Sequence, residues 1–227
     1  MTRITALDPA QFYLARGYVQ RDAPEYFVDE NDAGVVWQPD VYPYTASVAR
    51  AHGRTCVIDL GCGRARKLVN LRRHHPDLDV VGVDYGANIA WCQRNLLDGL
   101  WLEADLETAT TLRLDPARIA RSVVVCCDVL EHLVDPQPAM RLIEWLLRAG
   151  AARAVLSTPA RDRRAGAEHL GPPYNPSHVR EWTCEEFQFF VGSCGLEVER
   201  FELTRSDNAG GGLTTQLAVV RLRGASE

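Results

Sequence analysis

No apolar run in this chain of 227 residues approaches the roughly twenty that a membrane-spanning helix needs. Its N-terminus lacks the apolar segment of a secretory signal, so the expectation is a cytoplasmic protein without a membrane span. A basic excess is also missing. Lys and Arg number 25 against 30 Asp and Glu, a net charge of −5. Domains that grip a phosphate backbone usually present a basic face, so nucleic acid is not an expected partner. No two of the seven cysteines (Cys56, Cys62, Cys92, Cys126, Cys127, Cys184, Cys194) form a Cys-x-x-Cys pair. Without metal-ligand spacing or an even count, they read as reduced, mostly buried thiols. No internal repeat or second domain interrupts the chain, whose length suits one domain burying roughly 70% of its unfolded surface.

What is present centres on Val57 to Gly63, Val-Ile-Asp-Leu-Gly-Cys-Gly. An apolar run, then two glycines one residue apart, is how a buried parallel strand ends in a tight turn that a ligand can approach closely. The helix-forming stretch from Arg64 to Leu71 follows, so strand, turn and helix open a nucleotide-binding α/β unit. A dinucleotide fingerprint would place a third glycine where this chain has Arg66. Asp77–Asp84 reads as a second strand ending in an acid suited to a ribose, and Leu100–Glu107 as a third strand and turn. Ser122–Asp128 is a buried strand, Pro138–Arg148 a helix, and Ala154–Pro159 a strand stopped by its proline. Residues 160–182 form a long connection, Cys184–Ser193 a helix capped by Thr183, and Leu196–Thr204 with Leu213–Leu222 a C-terminal hairpin.

Asp59-x-Gly61-x-Gly63 resembles motif I of the class I S-adenosylmethionine-dependent methyltransferases, whose usual third glycine is replaced here by Ala65. Asp84, Asp105 and Asp128-Val129-Leu130-Glu131-His132 follow in the family's order, and Asn175 to Thr183 resembles a segment of its bacterial small-molecule members. The resemblance, over about residues 55–222, implies a Rossmann-like α/β fold. Its sheet would be seven-stranded, mostly parallel with a C-terminal antiparallel strand, and flanked by helices on both faces. Residues 1–53 would be an N-terminal helical cap, 54–227 the core, and 160–182 the substrate loop.

The same resemblance implies S-adenosyl-L-methionine as cofactor. Asp59, Gly61, Cys62 and Gly63 would hold its methionine end, the last three through their amides. Asp84 and Tyr85 would serve the ribose, Asp105 and Leu106 the adenine (with Glu103 competing), and Asp128 and Val129 the edge above the switch point. The acceptor would be a small molecule of bacterial secondary or cell-surface metabolism, methylated on O or N. For a hydroxyl acceptor a histidine base is the usual choice, with His132 and His178 as catalytic candidates and His169 third. Trp37, Tyr44, Arg161, Tyr174 and Arg180 are candidate substrate contacts, the arginines suiting an anionic acceptor. No metal is expected, since only Asp128 is suitably placed for one. The alternatives are an NAD-dependent oxidoreductase and a non-catalytic cofactor-binding protein.

Overall fold

Five short apolar stretches become parallel strands: β1 (Cys56–Leu60), β2 (Asp79–Asp84), β3 (Leu100–Glu103), β4 (Ser122–Cys127) and β5 (Ala154–Pro159). They are seen in a computed structural model of the chain, which describes residues 9–24 and 34–224. β6 (Leu196–Arg205) and β7 (Leu213–Leu222) complete one seven-stranded sheet of order β3-β2-β1-β4-β5-β7-β6. β7 runs antiparallel to both β5 and β6. Val57 sits between Val80 of β2 and Val123 of β4, so the strand order reverses about β1. Open α/β sheets bind ligands in the crevice at the carboxyl ends beside such a reversal.

The central strands are apolar on both faces because helices cover both. Val57, Val123 and Val125 join a core with α1 (Val41–Ala51), α2 (Arg66–His74) and α3 (Gly86–Asn95), through Ala46, Leu68 and Ile89. Ile58, Val124 and Cys126 alternate into a second core, which includes Ile119 of α4 (Pro116–Ala120) and Met140 and Ile143 of α5 (Gln137–Arg148). Each fully buried side chain of this size contributes about 1.5–3 kcal/mol. A short α6 (Arg161–Arg164) follows β5, and α7 (Cys184–Ser193) precedes β6. α7 opens with a capping box in which Thr183 and Glu186 satisfy each other's backbone N–H groups. All seven cysteines are free thiols, five of them buried.

Within residues 1–53, α1 is an eleven-residue helix, and the described residues before it hold one further helical turn. Residues Pro9–Phe12 form one turn of 3₁₀ helix, and Phe12 packs edge-on to Phe190 of α7. The Trp182 indole N–H donates to the Phe12 carbonyl at 2.9 Å, and Arg21 N–H to the Val179 carbonyl at 2.9 Å. Residues 9–24 thus brace the 160–182 connection. Tyr26, Phe27 and the loop expected at 29–34 fall outside the described residues, apart from Gly34.

Candidate functional site

The glycine turn at the tip of β1 has the conformation its composition calls for. Gly61 has φ +81°, and a Cβ there would lie 2.4 Å from a Val129 methyl, so only glycine fits. Ala65 is also left-handed at φ 56° and fully buried, a position where glycine carries no steric penalty. The expectation that the turn amides grip the ligand meets a different arrangement. Gly61 and Cys62 N–H both donate to the Val83 carbonyl, at 2.8 and 3.1 Å, and Gly63 N–H donates to Asp84 Oδ2 at 2.7 Å. These amides tie the turn to β2 and set its shape.

Asp84, at the end of β2, also accepts from Tyr85 N–H through Oδ1 at 2.8 Å, which fixes its carboxylate beside the turn. Asp105 Oδ1 accepts from Glu107 N–H at 2.9 Å and leads into buried Leu106. Glu103, the competing acid, is exposed on β3. Asp59 is 1% exposed; its Oδ2 accepts from the Tyr42 hydroxyl at 2.6 Å, and its Oδ1 has no partner. Asp128 adopts φ 51°, an uncommon conformation for a non-glycine residue, and its Oδ1 is likewise buried without a partner. Two orphaned carboxylate oxygens at the carboxyl edge fit a ligand bearing positive charge, as a sulfonium amino acid does.

His132 and His178, 46 positions apart in the chain, come together edge to face with ring centroids 4.7 Å apart. The His132 Nδ1 lies 2.9 Å from the Ser177 carbonyl, which only accepts, so Nδ1 carries the proton and Nε2 is the basic nitrogen. His178 Nδ1 lies 2.6 Å from Glu181 Oε1 and likewise donates, while its Nε2 accepts from the Asn175 side-chain amide at 2.9 Å. Burial, reinforced by His178, pushes His132 down to about 4, so it is neutral at neutral pH. Glu131 is fully buried; Oε2 accepts from the Thr158 hydroxyl at 2.9 Å, and Oε1 has no partner. Burial first, then Asp128, holds its carboxyl well above the ordinary value.

Ligand atoms of Glu131, His132 and His178 lie within 4.8 Å of one another, close enough to share a divalent cation. The expectation that only Asp128 could serve a metal therefore needs correction. Glu131, Asn175 and Glu181 were missed as candidates. The His178–Glu181 spacing of three was the one signal in sequence, whereas Glu131 meets His178 only through the fold.

The expected substrate contacts divide sharply. Arg161 is fully buried, donating to Glu186 Oε1 and the Glu181 carbonyl, both at 2.8 Å, with its guanidinium 4.6 Å from the Tyr18 ring centre. Arg180 is fully buried too, donating to the Leu133 and Val134 carbonyls at 2.8 and 2.6 Å beneath Phe12. Both guanidiniums hold the loop together instead of presenting donors to an acceptor. Tyr44 donates to Glu202 of β6 at 2.9 Å, and Trp37 is half exposed in a bridge with Asp207. Tyr174 is 72% exposed and lies against His169. A separate groove of about 750 Å³ between α7 and β6 contains none of these residues.

Residues 58–152 match a family model described as a methyltransferase domain. The fold is similar to the methyltransferase domain of bacterial CtHen1-C, at 21% identity over 81% of this chain and 97% of that one, TM-score 0.58. It is similar to the small RNA methyltransferase HEN1, at 19% identity over 89% of this chain and 27% of that one, TM-score 0.60. Magnesium protoporphyrin IX methyltransferase from Synechocystis PCC 6803, with bound SAH, is 19% identical over 79% of this chain and 83% of that one, TM-score 0.51. No curated protein matches the chain by sequence. The acceptors named for these structures range from RNA to a porphyrin, so likeness of fold leaves the acceptor open.

Proposed function

We propose that the chain is an S-adenosylmethionine-dependent methyltransferase that methylates a hydroxyl oxygen of a small molecule. The observation that supports this is the pairing of His132 with His178, each with Nδ1–H fixed by an acceptor so that Nε2 is the basic nitrogen, beside buried Glu131. The cofactor supplies an electrophilic methyl group on a sulfonium. Asp84 would hold the ribose, Asp105 the adenine amine, and Asp59 the ammonium of the amino-acid tail.

His178 is the better proton acceptor of the two. Its Nε2 lone pair accepts from the Asn175 amide, so an acceptor hydroxyl would have to displace that amide; Glu181, which accepts from Nδ1–H, would then stabilise the imidazolium formed when Nε2 takes the hydroxyl proton. His132, held near 4, is a weak base but a ready lone-pair donor. The remaining task is to hold the oxygen about 3–3.5 Å from the methyl carbon. The likeness of Asn175 to Thr183 to bacterial small-molecule enzymes supports an acceptor from secondary or cell-surface metabolism, and the −5 net charge disfavours RNA.

A second way to activate the hydroxyl rests on the Glu131–His132–His178 cluster. One carboxylate oxygen and two imidazole nitrogens suit a divalent cation, and the Glu181–His178 bond is the outer-shell contact that metal-bound histidines usually make. A cation there would lower the pKa of a bound hydroxyl.

Isotope-labelled S-adenosylmethionine, offered with panels of small polyols and phenols, amines and short RNAs, tests the reading. Label in an ether of a small molecule supports it; label only in RNA or amines, or hydride transfer with a nicotinamide, refutes it. Repeating the assay after chelation, with Mg²⁺, Mn²⁺ or Zn²⁺ restored singly, separates the two modes of activation.

A further inference from the structure

With the amides of Gly61, Cys62 and Gly63 all engaged internally, the turn does not offer the carboxylate of an amino-acid tail the donors that motif I leads one to expect. One cation is placed to do so. Lys67 is the second residue of α2, and its side chain reaches back over the mouths of β1 and β4. Its Nζ donates to Gln38 Oε1 at 3.1 Å and to Cys127 Sγ at 3.7 Å, and lies 5.6 Å from the centre of the Tyr42 ring. Among the described residues, its hydrogen-bond partners are thus a neutral amide and a thiol, with no carboxylate in ion-pair contact. An ammonium in such surroundings retains strong demand for an anion.

The surroundings favour a zwitterion over a simple anion. Asp59 sits nearby with Oδ1 unpartnered, while Tyr42 holds Oδ2 and stacks beneath Lys67. Gln38 adopts φ 46°, uncommon for a side-chain-bearing residue, and its N–H donates to the Ser206 carbonyl at 2.8 Å. That strained backbone delivers the amide that aims Nζ. Burial works against the Lys67 charge, but Cys127, Asp128 and Asp59 more than offset it, so the ammonium persists.

We infer that Lys67 binds the carboxylate of the cofactor's amino-acid tail, with Gln38 as its positioning residue. The inference rests on the S-adenosylmethionine reading and adds the residue that distinguishes the intact cofactor from one lacking the carboxylate. Charge-assisted bonds of this kind are usually among the stronger ones in a site.

Titration calorimetry with S-adenosylmethionine and with decarboxylated S-adenosylmethionine, which keeps the sulfonium and the ammonium, forms a thermodynamic cycle with Lys67→Met. Wild-type protein should bind the decarboxylated form about 10–100-fold more weakly. Lys67→Met should lose a similar factor toward the intact cofactor and keep its affinity for the decarboxylated one, so that the preference disappears. Lys67→Arg should retain part of it. Gln38→Ala, milder for folding, should narrow the preference in the same direction and serves if Lys67→Met does not fold. Equal weakening toward both ligands would make Lys67 merely structural and overturn the inference; so would an unchanged preference in the variants. Wild-type protein that binds neither ligand would overturn the cofactor reading itself, and this inference with it.

Discussion

Replacing Asp59 with asparagine should make the ligand-free protein more stable at alkaline pH while weakening its hold on the cofactor. The carboxyl is 1% exposed, and burial pushes it up to about 7 although the Tyr42 hydroxyl and the Lys67 ammonium oppose the shift. In the unfolded chain the same group titrates near its ordinary 3.8. Between those values the folded protein keeps a proton that the unfolded chain has lost, so unfolding becomes easier as pH rises. The contribution is fully present below 3.8 and lost as pH climbs through about 7. At about 1.36 kcal/mol per pH unit, the part lost between pH 5 and pH 8 is about 3 kcal/mol.

Asparagine does not ionise, and its oxygen can still accept from Tyr42. Urea unfolding of both proteins at pH 5 and pH 8, without ligand, checks the sign. The buried acids Asp128 and Glu131 are common to both, so the wild-type-minus-variant difference isolates Asp59. It should move by a few kcal/mol in the variant's favour across that interval, while cofactor affinity falls about tenfold with the loss of the orphaned Oδ1. A difference that does not change with pH would refute the assignment of a buried, proton-retaining carboxyl.

His178→Gln should lower kcat by about 10²–10⁴-fold, the usual share of a proton-transfer group, with S-adenosylhomocysteine affinity in calorimetry unchanged within twofold. Arg161→Met leaves Glu186 and the Glu181 carbonyl without their buried partner, so denaturant midpoints should report a loss of about 3–5 kcal/mol. Ala65→Gly removes a Cβ from a left-handed position and should raise stability by about 1 kcal/mol without changing kcat, measurable by the same unfolding curves and a turnover assay.

The strands were legible because each is an apolar run bounded by turn chemistry: β5 was expected at Ala154–Pro159 and lies there, stopped by its proline. α7 was equally readable from Thr183 as its cap. α4 was not, since five residues containing a proline and an arginine carry too little periodicity to register. His132 and His178 were singled out separately, and the structure brings them together; their partners were not foreseen. Arg161 and Arg180 in the long connection read as substrate contacts, yet both are enclosed by distant groups: Tyr18 and Glu186 around Arg161, Phe12 and the Leu133 and Val134 carbonyls around Arg180. Local sequence carries no trace of such partners. The turn amides show the reverse case. Motif I fixed the shape of the turn, but the Val83 carbonyl one strand away decides where those amides point.

The two halves of the site are therefore built by different kinds of contact. Beside the glycine turn, Gly63 meets Asp84 across 21 positions and Tyr42 meets Asp59 across 17. Around the histidine pair the local bonds of His178 to Asn175 and Glu181 are joined by distant ones. The Glu131 carbonyl receives the Val179 N–H at 2.7 Å, Ser177 orients His132 across 45 positions, and Arg180 Nε–H donates to Gln20 Oε1 in the N-terminal stretch, 160 positions away. Because residues 9–24 and 160–182 pack around the histidine pair and away from the glycine turn, the proposed function predicts that substitutions in them alter turnover of the acceptor while S-adenosylhomocysteine affinity in calorimetry stays unchanged within about twofold.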